Sequence, residues 1–186
     1  MKILATYIAV VTVACLAVVP LAPAGDEAPF TALEGLDLAV DAARAWADDA
    51  QLIYLENDEP VAPDGTATRW GYLFYSPAAD ESRGYSLRRD KVLEAADLEF
   101  DFQAPPLPEQ WLDSRAVLAV AHEKAGREYI EQHGGRLSTM LLIRGAFHEK
   151  NPDRSTWTVV YTSDTEPNLL VVVDAEEGKV VRQWKG

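Results

Sequence analysis

Hydrophobic and polar positions follow two successive patterns along the chain, a helical spacing and then a strand spacing, and this sequence of patterns occurs twice. In the first half, apolar residues recur every three or four positions over 36–48, which predicts an amphipathic helix. Strand-like runs follow at 51–56, 70–76 and 85–93, separated by loops rich in Pro and Asp at 58–65 and 77–84. The first half is therefore predicted to be a helix followed by three strands.

The second half repeats this order after a Pro-rich connector. Ser114 is a plausible N-cap, and an apolar stripe predicts a helix up to Gly126 with a second helical piece over 127–133. Apolar runs at 137–147, 157–163 and 168–173 are typical of strands.

The two Trp-centred runs resemble each other closely. The run Trp70-Gly-Tyr-Leu-Phe-Tyr-Ser returns as Trp157-Thr-Val-Val-Tyr-Thr-Ser. Repetition of this kind indicates equivalent supersecondary units. We therefore expect an α+β protein with two tandem helix-plus-antiparallel-sheet units, each helix packed on a three- to four-stranded sheet. The expected boundaries are a signal peptide at 1–24, a first unit at 29–102, a linker at 103–111 and a second unit at 112–186.

The final turn carries the clearest local signal. Residues 173–180 place Asp174, two Glu residues and Gly178 between apolar runs, ahead of Lys179. This predicts a β-hairpin with a Gly bulge. The corresponding stretch 88–92 has no Gly, so its turn must be built differently or be absent.

These motifs together resemble exported bacterial proteins with PepSY-like domains. The residues that carry the resemblance are Trp111-Leu-Asp-Ser at the helix start, Trp157 and Tyr161 in the middle strand, and the closing run 172–180 with Asp174, Gly178 and Lys179. The match covers 111–186, and the first half is a degenerate copy. The resemblance implies a helix on an antiparallel sheet, a location outside the cytoplasm, and modulation of peptidases, which has been proposed for the family.

The N-terminus has the pattern of an export signal. Lys2 precedes an apolar run that ends near Ala22-Pro-Ala24, so we expect cleavage after Ala24. An uncleaved membrane anchor is the alternative, because the apolar run is close to the roughly 20 residues that span a bilayer. Lipid attachment at Cys15 is a weaker alternative, because the three preceding residues are a poor acylation motif. The expected location is periplasmic, envelope-bound or secreted.

The net charge of −13 disfavours nucleic acid and anionic membranes as partners, because both require a basic surface.

His122-Glu123 lies on a predicted helix, but position 126, where a zinc peptidase motif needs its second His, is Gly. His148-Glu149 fails in the same way at Pro152. The sequence has no Gly-x-Ser-x-Gly elbow and no phosphate loop, so we expect no enzyme activity, no metal and no cofactor.

The expected function is binding of a protein or peptide in the cell envelope. Tyr75 and Tyr85 flank the loop 77–84 and are the best candidates for exposed aromatic contacts. The candidate binding residues lie in the Trp70 strand, beside the loop 77–84, or in the loop 164–168 that corresponds to it in the second half: Trp70, Tyr75, Tyr85, Glu166 and Asn168. The alternatives are a carrier of a small apolar ligand, with a pocket between helix and sheet, and a hydrolase.

Overall fold

The computed structural model describes residues 28–98, 102, 104–148 and 151–186. Helix α1 spans Leu36–Trp46, and helices α2 (Ser114–Ala121) and α3 (Arg127–His133) are joined by one π-turn at His122–Gly126. The strands are β1 (Gln51–Asn57), β2 (Trp70–Ser76), β3 (Glu81–Arg88), β4 (Lys91–Asp97), β5 (Arg136–Arg144), β6 (Ser155–Thr162), β7 (Leu169–Asp174) and β8 (Val180–Lys185). Within these ranges no helix has the length and apolar content needed to cross a membrane.

All eight strands form one antiparallel sheet in the order β4-β3-β2-β1-β5-β6-β7-β8. At its centre β1 pairs with β5, and Leu55 lies opposite Leu142. The expectation of two tandem helix-plus-sheet units is therefore wrong, and the protein is mostly β. In two separate sheets β1 and β5 would each be an edge strand with unpaired backbone groups. Pairing them with each other satisfies those groups and gives one continuous sheet.

Both helical segments pack on the same face of the sheet, which we call the helix face. The indole N–H of Trp70 donates to the carbonyl oxygen of Phe30 at 2.9 Å, and that of Trp157 donates to Leu112 at 2.8 Å. Both indoles are fully buried, and their ring centroids lie 6.4 Å apart, edge to face. Each middle strand is thus tied to the segment that leads into its helix.

The two halves also meet where α2 begins. The Ser114 hydroxyl donates to the carbonyl oxygen of Gly65 at 2.7 Å and accepts from the backbone N–H of Ala32 at 3.2 Å. Gly65 has φ +83, and a Cβ there would lie 2.6 Å from the Cα of Arg115, so only glycine fits at this approach. The Pro-rich connector is also bound to the sheet, because the backbone N–H of Leu107 donates to the carbonyl oxygen of Leu52 at 2.8 Å.

Two elements of the first half differ from the expectation. Strand β3 begins at Glu81, so the predicted loop 77–84 shrinks to a turn over 77–80, in which Asp80 adopts φ 55. The predicted strand 85–93 is divided between β3 and β4 by a turn at Arg89 and Asp90. The hairpin without glycine is thus present, and it gives the first half a fourth strand.

Replacing either central tryptophan by phenylalanine should destabilise the protein. Trp70→Phe and Trp157→Phe each remove an indole that fills the core, together with its N–H donor. The Leu112 carbonyl oxygen loses its indole donor, whereas that of Phe30 keeps the backbone N–H of Ala67 at 3.0 Å. We expect each to lower the free energy of unfolding by about 2 kcal/mol in urea denaturation. Trp184→Phe, at half-buried Trp184, is the matched control with a cost below about 1 kcal/mol. Equal costs for all three would contradict the structural role of the central pair.

Candidate ligand-binding groove

The face of the sheet opposite the helices, the open face, carries two rows of side chains across β1, β2, β3 and β4. Strand register places Tyr54, Leu73, Gly84 and Ala96 in one row, which we call the apolar row. It places Glu56, Gly71, Ser86 and Glu94 in the next, which we call the acidic row. Because side chains two positions apart on a strand share a face, the two rows lie side by side.

Small residues make these rows into a groove of 640 Å³. A Cβ on Gly84 would meet only ordinary contacts, the Ala96 oxygen at 3.9 Å and Leu73 Cδ1 at 4.0 Å, and Gly84 lines the groove, so there is room for a side chain at this position. At one end of the apolar row the ring of Phe102 stands edge-on to Tyr54, with 5.9 Å between centroids. The opening therefore lies over β2, β3 and β4.

The acidic row is built around a single guanidinium. Arg69 lies between Asp58, at 3.6 Å, and Glu94, at 3.2 Å, and also donates to the Ser86 hydroxyl. Ser86 in turn donates to Asp58, whose carboxylate covers Gly71. A Cβ on Gly71 would lie 2.7 Å from that carboxylate, so glycine is needed for Asp58 to fold inward.

Acidic groups outnumber basic ones around the groove. Among the described lining residues, the three carboxylates of Glu56, Asp58 and Glu94 outnumber the guanidinium of Arg69, whereas Asp97 pairs with Arg83 at 3.5 Å. The Tyr54 hydroxyl donates to Glu56 at 2.6 Å, and burial, followed by this hydrogen bond and the charge of Glu56, raises the pKa of Tyr54 well above its ordinary value. Tyr54 therefore remains a donor at neutral pH and holds the Glu56 carboxylate beside the groove.

The corresponding rows of the second half are filled with larger side chains. Leu170 and Trp184 occupy the positions that match Gly84 and Ala96, and Thr158 and Val172 match Gly71 and Ser86. Thr158 and Val172 are buried, and the Arg182 guanidinium stacks on the Trp184 ring at 4.7 Å. The small residues that form the base of the groove thus occur in the first half, and larger residues take their positions in the second.

The structure separates the binding residues predicted from the sequence. Trp70 is fully buried on the helix face. The expectation that Tyr85 is exposed is wrong, because the early start of β3 places Tyr85 within the strand, where its ring packs against Phe74 at 5.9 Å and is 4% exposed. Half-buried Tyr75 lies on the open face beyond the apolar row and donates its hydroxyl to Asp80 at 2.7 Å.

The other two predicted binding residues lie in the half without the groove. Glu166 pairs with Lys185 at 3.6 Å, and the Asn168 carbonyl accepts the backbone N–H of Gly186 at 3.0 Å. Tyr85 is among the residues that line the groove, and the other lining residues were not predicted. The available signal was Gly71 within a strand-like run, where a small residue leaves space. Gly84 was assigned to the predicted loop 77–84 and Ala96 lies beyond the predicted strand 85–93, so neither gave this signal.

The closing hairpin is confirmed. Gly178 has φ 68 in the turn between β7 and β8, and its backbone N–H donates to Asp174 at 2.9 Å. Lys179 pairs with Glu177 at 2.9 Å on the exposed surface. Of the residues that carry the family resemblance, Trp157 and Tyr161 are fully buried on the helix face. This motif therefore shapes the scaffold and lies away from the groove.

A buried carboxylate anchors this hairpin. Asp174 is 3% exposed and accepts a two-pronged contact from Arg154, at 2.9 and 2.8 Å, together with the backbone N–H groups of Glu176 and Glu177. His148 Nε2 lies 3.6 Å from the same carboxylate. Burial acts to raise the pKa of Asp174, but the hydrogen bonds from Arg154 and the backbone outweigh it and lower the pKa.

In the part of the chain that the structure describes, no three His, Cys, Asp or Glu side chains are grouped to hold a metal ion. His122 lies at the π-turn with its ring 5.5 Å from Tyr161, and burial, followed by the charge of Arg127, lowers the pKa of His122. The side chain thus forms part of the packing between the helical segment and β6.

The fold defines a protein with helices on one face of an eight-stranded antiparallel sheet. No family model matches the chain, and no curated protein matches it. A solved structure with a similar fold is that of a "putative lipoprotein" from Clostridium difficile 630. Its TM-score is 0.56 at 13% sequence identity, over 81% of this chain and 92% of that chain. At this identity the similarity shows the fold alone.

Replacing Asp174 by asparagine should destabilise the hairpin in a pH-dependent way. Asp174→Asn leaves Arg154 without its buried partner, and we expect a loss of about 2 kcal/mol at pH 7. Because folding lowers the pKa of Asp174, the carboxylate stabilises the protein above pH 3.8 and loses this effect as the pH falls through the folded-state pKa. The difference between wild type and variant should therefore shrink in urea denaturation below pH 3.8.

Lys179→Met is the matched control in the same turn. Its ion pair with Glu177 is exposed and screened by solvent, so its removal should leave the free energy of unfolding almost unchanged. A pH-independent loss for Asp174→Asn would show that packing, and not the charge of Asp174, stabilises the hairpin.

Proposed function

We propose that the protein is an exported, non-enzymatic binding protein whose groove on the open face holds an extended segment of a protein or peptide in the cell envelope. The observation that carries the proposal is the open space above Gly84, at the position where the second half has Leu170. Within one sheet, the first half thus leaves open a surface that the second half fills.

The chemistry of the groove favours a peptide over a purely apolar ligand. The apolar row offers Leu73 and Tyr54 to an aliphatic or aromatic group, and ligand sites commonly combine such a floor with a few polar groups. An apolar molecule covering the whole groove would also desolvate the carboxylates of Asp58 and Glu94 without replacing their contacts with water, which is unfavourable. A peptide supplies both apolar side chains and hydrogen-bonding groups.

Three observations support export as part of the proposal. The N-terminal pattern is that of a signal peptide. Residues 111–186 resemble PepSY-like modules. The protein with the similar fold is described as a "putative lipoprotein". Residues 1–24 lie outside the described residues. Mass spectrometry of the exported form distinguishes cleavage after Ala24, retention of the apolar segment and lipid attachment at Cys15.

Filling the groove should abolish peptide capture. We expect a random peptide library displayed on phage to yield peptides that bind the immobilised protein saturably. Gly84→Leu places in the groove the side chain that Leu170 has in the second half, and it should weaken these peptides by about tenfold or more. A Cβ at Gly84 meets only ordinary contacts and the rest of the leucine side chain would extend into the groove, so we expect the variant to remain folded, which its urea unfolding curve checks.

Ala79→Leu provides the matched control. It adds the same side chain at an exposed turn next to β2 and should leave peptide binding unchanged. A library that yields no saturable binder, or binders that Gly84→Leu leaves unaffected, would refute the groove as the binding site.

A further inference from the structure

We infer that the groove selects extended peptides in which a basic side chain and an apolar side chain are two residues apart. This inference rests on the proposed function, because it assigns the chemistry of the ligand in the same groove. It follows from the spacing of the two rows and from the charges of the acidic row.

The spacing is set by the strands of the sheet. Leu73 and Gly71 are two residues apart on β2, as are Gly84 and Ser86 on β3, so the apolar and acidic rows are separated by about 7 Å. In an extended peptide that lies along these strands, side chains i and i+2 point to the same side and are separated by the same distance. One of them can enter each row.

The acidic row is complementary to a cation. The Arg69 guanidinium already lies between Asp58 and Glu94, so the row accommodates a positive group of this chain. The carboxylates that line the groove outnumber this one guanidinium, which leaves an excess of negative charge for a second cation. A ligand carboxylate in the same place would meet like charges, which disfavour binding.

The apolar row is complementary to an aliphatic or aromatic side chain. Its floor at Gly84 and Ala96 is open, and Leu73 and the Tyr54 ring form one wall. A phenylalanine side chain entering here leaves the sheet and the helix-face core unchanged, because alternate residues of β2 and β3 build that core.

The test uses three blocked, fluorescently labelled peptides on the full chain, read by anisotropy titration. The first has Lys and Phe two residues apart, the second has them adjacent, and the third has Glu in place of Lys. We expect the first to bind most tightly, with binding weakened by added salt because charge contributes.

Two variants of the acidic row determine the sign of the charge effect. Arg69→Gln removes the competing cation and should tighten the Lys peptide by about two- to fivefold, whereas Glu94→Gln should weaken it by a similar factor. An anionic ligand would show the opposite changes. Each variant's urea unfolding curve controls for loss of structure.

The outcomes separate this inference from the proposed function. If the Glu peptide or the adjacent-order peptide binds as well as the first, if the first does not bind, or if Arg69→Gln weakens it, the inference is refuted. The proposed function still stands in those cases, provided that library-selected peptides bind and lose affinity in Gly84→Leu. If Gly84→Leu leaves the library-selected peptides unaffected, both are refuted.

Discussion

Strand β1 pairs with β5 along their antiparallel edges, and the rest of the architecture follows from this pairing. Each strand would otherwise be the edge of a four-stranded half-sheet with exposed hydrogen-bonding groups. The pairing of β1 with β5 places β2 and β6 on either side of the centre of the sheet. The ring centroids of Trp70 and Trp157 therefore lie 6.4 Å apart on one face. Each indole also holds the backbone ahead of a helix, so the central pairing fixes both helical segments.

The alternation of side chains along the strands separates stability from binding. Trp70, Tyr72 and Phe74 point to the helix face and are buried there, whereas Gly71 and Leu73 point to the open face. On the open face a Cβ at Gly84 meets only ordinary contacts, whereas a Cβ at Gly71 would lie 2.7 Å from Asp58. The core depends on close packing, and the groove depends on two glycines and an alanine remaining small.

Local patterns predicted the elements, but contacts between distant strands determined how they assemble. Helical spacing and the Asp174–Gly178 turn identify α1 and the last hairpin because each depends on neighbouring residues. The joining of β1 to β5 has no such local signal. The prediction that Tyr85 is exposed was wrong because the turn between β2 and β3 is shorter than the predicted loop 77–84. Asp80 adopts a left-handed conformation in this turn, and β3 therefore begins at Glu81. The groove depends on the register of four strands, so no single segment reveals it.

The two halves of the sheet share a backbone framework, so the groove arises from side chains alone. Register shifts occur at matching places: between Leu52 and Tyr54 in β1, Leu137 and Thr139 in β5, Ser86 and Leu87 in β3, and Val172 and Val173 in β7. Because a bulge changes which side chains face the core, matching bulges keep the same face buried in both halves. Gly84 opposite Leu73 leaves a space in the first half, and Leu170 opposite Val160 fills it in the second. Differences in side-chain size along the two rows therefore open this surface in the first half and fill it in the second, within one continuous sheet.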